Sequence, residues 1–423
     1  MIVGGLLFGT IADQGGRKNS IPISMVTIFL ALLGFSFSQT YFLINFFVFM
    51  LGVGTAGSNT TIRVYLIECV PAKKRGSSLV IIDILWIIGY GLSLGLSWIL
   101  IPSIINILGN EFRPNSWRVL VGLASASCLI MAYASSLLPY SPRYLLYRRR
   151  PQEALIILQQ MFSINNSQHV NNFPSCNLNN CVRPDDNDIY TKYFFEILKQ
   201  FLLKTWKRLS LIYSLKFIKY TLLFNIIRLS LFPSLIWITQ WATYLSYEKI
   251  YASSSNKTCS INVGNIALHI LSDCHEINNT HFEYSLIFLS SCILGEVLLF
   301  FSIDTIGRQI SLVVSGLIGG ISILVMIYGS HQDTKIIWLM IVLASFSIIY
   351  TTTNIELLEN YPTSVRGTVW GFTLIFPQLT IFFINSFATI SCWIIIYVIL
   401  GSLIGAVVAT LPIADLTNSS MKE

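Results

Sequence analysis

Two patterns of charged residues and glycine each occur twice in this chain. The first is Asp-x-x-Gly-Arg, and its copies begin at Asp13 and Asp304. The second is Glu-x-x-Pro-x-x-x-Arg-Gly, whose copies begin at Glu68 and Glu359, and each pair of copies is 291 residues apart (304 − 13 = 359 − 68 = 291). Carboxylates pair with guanidinium groups and also accept hydrogen bonds from the free amides of helix N-termini. Two motifs that agree in internal spacing and in separation predict two homologous halves.

A second set of polar residues lies within long apolar stretches, where such groups are costly and usually face a cavity. Arg63 could pair with Asp83 on a neighbouring helix or bind an anionic substrate, and Asp83 could carry a coupling proton. Arg63 and Arg228 could instead extend their long side chains to a membrane interface. Arg63 and Glu356 fit a gate as well as they fit substrate contact, because both lie about one turn from the cytosolic ends of their helices. The candidates for a substrate cavity are Arg63, Asp83, Trp86, Arg228, Gln240 and Glu356.

The chain shows no pattern typical of an enzyme. Residues 15–18 (Gly-Gly-Arg-Lys) lack the glycine spacing and the Lys-Ser/Thr pair of a phosphate-binding loop. Ser and Cys residues show no nucleophile-elbow context. Cys176 and Cys181 have no second pair beside them, as a zinc site would require. We therefore expect no catalytic residue, no metal and no cofactor, while coupling to a proton or another ion stays open.

The composition places these residues in a membrane protein. Hydrophobic residues make up 54% of the 423 positions, charged residues make up 11%, and the mean hydropathy is +0.66. Soluble domains carry about 25% charged residues, and about 20 apolar residues span a bilayer. We therefore predict an all-α multi-pass membrane protein with ten full spans and a partial one at 1–12. The full spans are predicted at 20–38, 42–67, 77–101, 117–138, 219–245, 283–302, 311–329, 336–358, 367–387 and 391–412.

Lysine and arginine concentrate in alternate connections between these spans. By the positive-inside rule these connections are cytosolic, so the net charge of +7 does not indicate nucleic-acid binding. The loop 246–282 then falls on the opposite face, where glycans and disulfides can form. We predict two glycosylation sites and one disulfide there, with two free thiols as the alternative, and protein partners could bind this loop. The glycosylation sites are Asn256 and Asn278, and the disulfide joins Cys259 to Cys274.

The repeat predicts two units of the same orientation, because even numbers of spans separate the motif copies. The predicted parts are an N-terminal transmembrane half (1–143), a cytosolic central loop (144–218), a C-terminal transmembrane half (219–413) and a cytosolic tail (414–423). Two spans precede Asp304 but only residues 1–12 precede Asp13. We therefore expect that the first helix of a 6 + 6 architecture is missing, through a gene-model fragment or a short form. Proline, asparagine and serine in the central loop predict that it is largely disordered.

This organisation resembles the major facilitator superfamily, whose fold has twelve helices in two parallel halves. Residues 9–18 (Gly-Thr-Ile-Ala-Asp-Gln-Gly-Gly-Arg-Lys) resemble its signature between helices 2 and 3. Residues 139–143 (Pro-Tyr-Ser-Pro-Arg) resemble the motif after helix 6 of sugar porters. Within the superfamily, the chain resembles the synaptic vesicle glycoprotein 2 and related proteins. That likeness rests on residues 83–89 (Asp-Ile-Leu-Trp-Ile-Ile-Gly), on the cysteine-bearing loop after helix 7, and on the Leu-Pro-Ile ending at 411–413.

The resemblance implies that the repeated motifs join the two halves on the cytosolic side in one state and separate in another. Exposed ion pairs of this kind would contribute about 0–1 kcal/mol each, and a network of them could bias such an equilibrium. The residues predicted to gate or to bridge the halves are Gly9, Asp13, Gly16, Arg17, Glu68, Arg75, Arg143, Asp304, Gly307, Arg308, Glu359 and Arg366.

Two functions are compatible with these patterns. The first is a monomeric secondary transporter that moves a small polar or ionic organic solute by alternating access, in the bilayer of the plasma membrane or of an intracellular vesicle. The second is a vesicle or surface glycoprotein of the same fold that binds protein partners without transport.

Overall fold

The helices follow the predicted apolar spans closely. The computed structural model describes residues 1–100, 116–167, 169, 172–174, 194–231, 279–328, 332–386, 392–413, 415–417 and 419. In the first half the helices are α1 (Ile2–Gly15), α2 (Arg17–Phe37), α3 (Tyr41–Cys69), a 3-10 turn (Ala72–Lys74), α4 (Arg75–Leu100) and α5 (Ser116–Ser136). Next come α6 (Pro142–Tyr147), α7 (Pro151–Asn166) and α8 (Phe194–Ile212). In the second half they are α9 (218–231), α10 (Asn279–Ser302), α11 (Arg308–Tyr328), α12 (Gln332–Asn360), α13 (Arg366–Thr373), α14 (Ile375–Ser386) and α15 (Cys392–Thr410).

The 291-residue repeat is visible in the helix boundaries themselves. It carries α2 (Arg17–Phe37) onto α11 (Arg308–Tyr328) and α3 (Tyr41–Cys69) onto α12 (Gln332–Asn360). It also carries the first residue of α4 onto the first residue of α13. The internal duplication inferred from two short motifs therefore extends to whole helices.

Glycine sets the same helix break in both halves. Gly16 separates α1 from α2 with a φ of 94°, and Gly307 separates α10 from α11 with a φ of 104°. Positive φ is costly for residues with a Cβ, so glycine is favoured at both positions. Each break turns the chain sharply between the aspartate and the arginine of the repeated motif.

The apolar surface of the helices is suited to lipid. Seven of the described helical segments are long and apolar enough to cross a membrane, and Ile396–Thr410 is a shorter apolar helix. Large side chains such as Phe42 and Phe301 are 77% and 72% exposed on them. Exposed apolar residues at this density indicate a bilayer, and the prediction of a multi-pass membrane protein is confirmed.

The prediction that the central loop is largely disordered is wrong for α7 and α8. Pro151 occupies the first turn of α7, where its missing amide is harmless, and Glu153 in the same turn complements the helix dipole. In α8, apolar residues recur with helical spacing among lysines and arginines. The prediction of disorder was based on the asparagine, serine and proline content of residues 163–180. It did not take account of the helical patterns on either side of that stretch.

The most extensive helix contacts between the halves are those of α1 with α13 and of α4 with α10. At the first crossing, a Cβ on Gly371 would lie 2.0 Å from the carbonyl oxygen of Gly5. A Cβ on Gly9 would likewise lie 2.4 Å from the carbonyl oxygen of Gly367. Both helices thus present glycines four residues apart, which lets their backbones approach closely. At the second crossing, the rings of Trp98 and Phe282 stack at a centroid distance of 6.0 Å.

Candidate functional site

Asp13 lies at the N-terminus of α13, in the opposite half of the molecule. Its carboxylate accepts hydrogen bonds from the backbone amides of Gly367 (3.2 Å) and Thr368 (2.8 Å). The Thr368 hydroxyl donates a third at 2.8 Å. A helix N-terminus leaves its first amides unpaired and carries partial positive charge, so an aspartate is stabilised there. Asp13 is only 1% exposed, and these bonds therefore form in a dry interface.

Asp304 makes the reciprocal contact at the N-terminus of α4. Its carboxylate accepts hydrogen bonds from the amides of Gly76 (3.1 Å) and Ser77 (2.9 Å). Gly76 and Gly367 are equivalent under the repeat, and each half therefore caps a helix of the other. A Cβ on Gly76 would lie 2.5 Å from Oδ1 of Asp304, which explains the need for glycine there. The Asp304 side chain is 15% exposed.

Glu68 joins one arginine of each half. Its Oε1 lies 3.0 Å from Nη2 of Arg17 and 3.4 Å from Nη1 of Arg366. Arg17 also lies 3.2 Å from Oδ1 of Asp13. Arg366 donates further hydrogen bonds to the carbonyls of Leu358 and Tyr361, both at 2.9 Å. One carboxylate thus ties the end of α3 to the starts of α2 and α13.

Glu359 repeats this arrangement in the other half. Its Oε1 lies 3.2 Å from Nη2 of Arg308 and 3.3 Å from Nη1 of Arg75. Arg308 lies 3.1 Å from Oδ1 of Asp304, as Arg17 does from Asp13. The structure therefore brings the repeated aspartates, glutamates and arginines of both motifs into two equivalent four-residue clusters, each with members from both halves. We call these eight residues the latch: Asp13, Arg17, Glu68, Arg75, Asp304, Arg308, Glu359 and Arg366.

The latch is buried, which corrects the estimate of its strength from the sequence. An exposed ion pair would contribute only about 0–1 kcal/mol to stability, as expected from the sequence. The side chains of Arg17, Asp13 and Glu68 are instead 0% exposed. Removing one partner of a buried pair typically costs about 3–5 kcal/mol, since the other charge is left uncompensated. The latch is therefore costly to break one member at a time.

Residues that the sequence interpretation missed support the latch. Ser141 donates to Oε2 of Glu68 at 2.7 Å, and it also caps α6 by accepting from the Tyr144 amide. The guanidinium carbon of Arg17 lies 4.9 Å from the centre of the Tyr144 ring. Arg143, which was predicted, is half-buried and lies within electrostatic range of Arg75 and Arg366. The place of Ser141 within the Pro-Tyr-Ser-Pro-Arg motif at 139–143 was the feature of the sequence that could have identified it.

Arg63 and Asp83 pair across α3 and α4, which is one of the arrangements left open by the sequence. Nη1 of Arg63 donates to Oδ2 of Asp83 at 2.9 Å, and Nη2 contacts Oδ1 in a bidentate pair. Nε of Arg63 donates to the side-chain oxygen of Asn59 at 2.8 Å. Arg63 and Asp83 are 4% and 5% exposed, so this pair is buried within the membrane-spanning region.

Glu296 on α10 lies near this pair and was missed. It is 1% exposed and accepts hydrogen bonds from Thr351 (2.8 Å) and Ser347, both on α12. It interacts electrostatically with Arg63 and Asp83. A glutamate well inside the apolar span 283–302, away from its ends, was the available signal.

Arg228 on α9 lies inside the protein rather than at a membrane interface. It is 3% exposed, and Nη2 donates to Oδ1 of Asn354 at 2.9 Å. Its guanidinium carbon lies 4.4 Å from the centre of the Trp370 ring, and that of Arg63 lies 5.5 Å from the same ring. Trp370 therefore contacts one arginine from each half. The signal for Asn354 was the repeat, because it is the counterpart of Arg63.

Two other predicted cavity residues, Glu356 and Trp86, do not join this cluster. Glu356 is 2% exposed and interacts electrostatically with Glu359 and Arg308, which places it beside the latch. Trp86 is 68% exposed and stacks on Tyr90 at a centroid distance of 6.3 Å. Gln240, Cys259, Cys274, Asn256 and Asn278 lie outside the described residues.

Comparison with known proteins agrees with this geometry. The family model described as Major Facilitator Superfamily matches residues 1–385. The human protein Synaptic vesicle glycoprotein 2C is 33% identical over 168 residues, which cover 39% of this chain and 23% of that protein. Organic cation/carnitine transporter 7 of Arabidopsis thaliana is 29% identical over 170 residues, which cover 40% of this chain and 31% of that protein. The chain thus matches less than a third of the length of these relatives.

Solved structures share the fold. The proton:xylose symporter XylE bound to 6-bromo-6-deoxy-D-glucose superposes with a TM-score of 0.69 at 16% identity, covering 99% of this chain and 85% of that one. The fucose:proton symporter FucP of E. coli superposes with a TM-score of 0.57 at 13% identity, covering 97% of this chain and 87% of that one. The predictions of family resemblance, of fold and of a chain that is not an enzyme are confirmed. With two repeated halves, a reciprocal latch and a family match over most of its length, this chain belongs to the Major Facilitator Superfamily.

Proposed function

We propose that this protein is a secondary transporter that moves a small polar or ionic organic solute by alternating access. In the conformation described, the latch closes the cytosolic end between the halves. Breaking it would let the halves rock apart and open that end.

The reciprocal latch is the observation that carries this proposal. Each half contributes one aspartate that caps a helix of the other half, and one arginine that pairs with a glutamate of the other half. These contacts join bodies related by the repeat, so a rigid rotation of one half would break them together. A permanent structural interface could bury apolar side chains at the same place with less desolvation cost.

The buried polar cluster around Trp370 supplies a place for the solute. Arg63 approaches it from the first half, and Arg228 and Asn354 approach it from the second. Ionisable residues inside the membrane are rare and mark substrate or ion pathways. The cluster lies between the halves, where alternating access exposes a site to each side in turn.

Uptake by the purified full chain in proteoliposomes tests the proposal. The panel contains radiolabelled sugars, organic cations and organic anions, each with and without an imposed pH gradient. We expect saturable uptake of one class, strong loss with Asp83→Asn, and little change with Lys18→Gln, since Lys18 lies outside the polar cluster. No flux across the panel, together with no effect of Asp83→Asn, would refute transport and favour the partner-binding glycoprotein.

The pH gradient tests ion coupling separately. Asp83 and Glu296 are both buried carboxyl groups within membrane-spanning helices, and such groups can carry protons. If uptake is proton-coupled, the gradient accelerates it and Glu296→Gln removes the acceleration. Uptake that is independent of the gradient would exclude coupling to protons.

A further inference from the structure

Three buried hydrogen-bond donors cluster where α9, α12 and α13 meet. They are Nη1 of Arg228, Nδ2 of Asn354 and Nε1 of Trp370, and none of them has a hydrogen-bond partner among the described residues. The three residues are 3%, 2% and 0% exposed, so bulk water does not satisfy these groups. Buried polar groups are nearly always paired, and three unpaired donors together therefore indicate a site for an acceptor.

The contacts between these residues fix their orientation. Arg228 uses Nη2 to donate to Oδ1 of Asn354, so the amide nitrogen of Asn354 is left as a donor. The guanidinium group lies over the Trp370 ring at 4.4 Å, which holds it in place by cation–π attraction. The cluster is thus a preorganised set of three donors that no acceptor among the described residues satisfies.

The charge balance specifies the kind of acceptor. Arg63 is neutralised by Asp83 in a bidentate pair. Arg228 has no carboxylate within ion-pair distance in the described part of the chain, and the groups that act on it electrostatically are Tyr350 and Arg63. Glu296 interacts instead with Asp83 and Arg63. A buried cation without a counter-ion is unfavourable, and a single negative charge would compensate it.

We propose that Arg228, Asn354 and Trp370 bind the carboxylate of a small organic monoanion. This inference rests on the proposed transport function, since the monoanion would be the solute. The carboxylate oxygens accept from the guanidinium, amide and indole donors, and charge-assisted hydrogen bonds of this kind are the strong ones. A neutral solute would leave the guanidinium uncompensated. A dianion such as phosphate would bring one charge too many.

The site is also connected to the latch through α13. Trp370 lies two residues after Thr368, whose amide and hydroxyl donate to Asp13. A carboxylate that holds the Trp370 indole would therefore stabilise α13 in the position that the latch requires. Solute binding and closure of the cytosolic end would then favour each other.

Thermal unfolding of the purified full chain in detergent tests the site without measuring transport. The probes are lactate, pyruvate, nicotinate and benzoate, each beside its neutral amide, together with inorganic phosphate. We expect at least one carboxylate to raise Tm with a saturable dose dependence. Its amide should bind at least about tenfold more weakly, because it cannot neutralise Arg228.

Three variants and one control locate the binding. Arg228→Gln should abolish the Tm shift, and Trp370→Phe, which keeps a ring but removes the N–H, should weaken binding about tenfold. Asn354→Asp places a carboxylate beside Arg228, so it should raise Tm without a probe and lower affinity for the carboxylate. Arg150→Gln is the matched control, since the Arg150 side chain is 59% exposed and far from the donors in the fold.

Several outcomes would overturn the proposal. The first two are equal Tm shifts by the acids and their amides, and a Tm shift that survives Arg228→Gln. The third is binding of phosphate in preference to every carboxylate. The fourth is no Tm shift by any probe, combined with no rise in Tm from Asn354→Asp. Carboxylate binding without uptake in proteoliposomes would refute the transport function and leave this site intact. Uptake of neutral solutes alone would refute this site and leave transport intact.

Discussion

The substitution Asp13→Asn tests whether the latch sets the balance between the closed and open cytosolic end. The side chain keeps its size but loses its charge, and one of its two oxygens becomes an N–H. In the native protein the backbone amides of Gly367 and Thr368 and the Thr368 hydroxyl all donate to Asp13. The new N–H is also a donor, so it loses a hydrogen bond wherever it faces one of these groups. The attraction between Asp13 and Arg17, whose atoms lie 3.2 Å apart, is lost as well.

The expected loss in free energy of the closed state follows from the three hydrogen bonds that Asp13 accepts from the other half. A hydrogen bond to a charged group contributes about 1.5–3 kcal/mol, and at least one bond is lost while the others weaken. We expect the closed state to lose about 3 kcal/mol, which shifts the equilibrium by about two orders of magnitude.

The repeat provides a matched control in Asp304→Asn. Asp304 accepts amide hydrogen bonds from Gly76 and Ser77 across the halves, and its side chain is 15% exposed, whereas that of Asp13 is 0% exposed. Water can replace part of what is lost there. We therefore expect a loss of about 1 kcal/mol, or roughly fivefold in the equilibrium.

Distances across the cytosolic end measure this shift. Spin labels on non-canonical amino acids at Asn19 and Thr305, both exposed and in opposite halves, report the separation by pulsed electron resonance. We expect the long-distance population to rise in the order wild type, Asp304→Asn, Asp13→Asn. Equal populations in all three, or a larger effect from Asp304→Asn, would refute the reasoning that deeper burial makes Asp13 dominant.

Two further predictions concern the packing between helices. Gly371→Ala should destabilise the α1–α13 crossing by about 3 kcal/mol, because its Cβ would lie 2.0 Å from the Gly5 carbonyl oxygen. The control is Gly401→Ala, which has open space around it and should leave the unfolding temperature unchanged or slightly higher. Equal effects of the two substitutions would contradict the close approach of α1 and α13. Arg63→Gln should cost about 3–5 kcal/mol by leaving Asp83 unpaired in the membrane. The double variant with Asp83→Asn should recover most of that loss in a double-mutant cycle, whereas additive losses would show that the two residues do not interact.

The sequence by itself determined the membrane spans and the duplication. Hydropathy is summed along the chain, so it finds helices without knowledge of their neighbours, and the predicted span 283–302 became α10 (Asn279–Ser302). The shift of 291 residues needed only two short motifs, yet it carries α2 onto α11 residue for residue. The pairing of Arg17 with Glu68, within one half, was also accessible, because both residues lie at the cytosolic ends of neighbouring helices.

Only the tertiary structure decided which groups meet across the halves and how deeply they are buried. The partner of Asp13 is the start of α13, 354 residues away, and it is set by the crossing of α1 and α13. Burial shows that the latch pairs are not weak surface contacts. It also places Arg228 inside the protein beside Trp370 rather than at a membrane interface. Side-chain type and spacing fix the charges a helix carries, but the rotation and crossing of packed helices determine which of those charges find a partner.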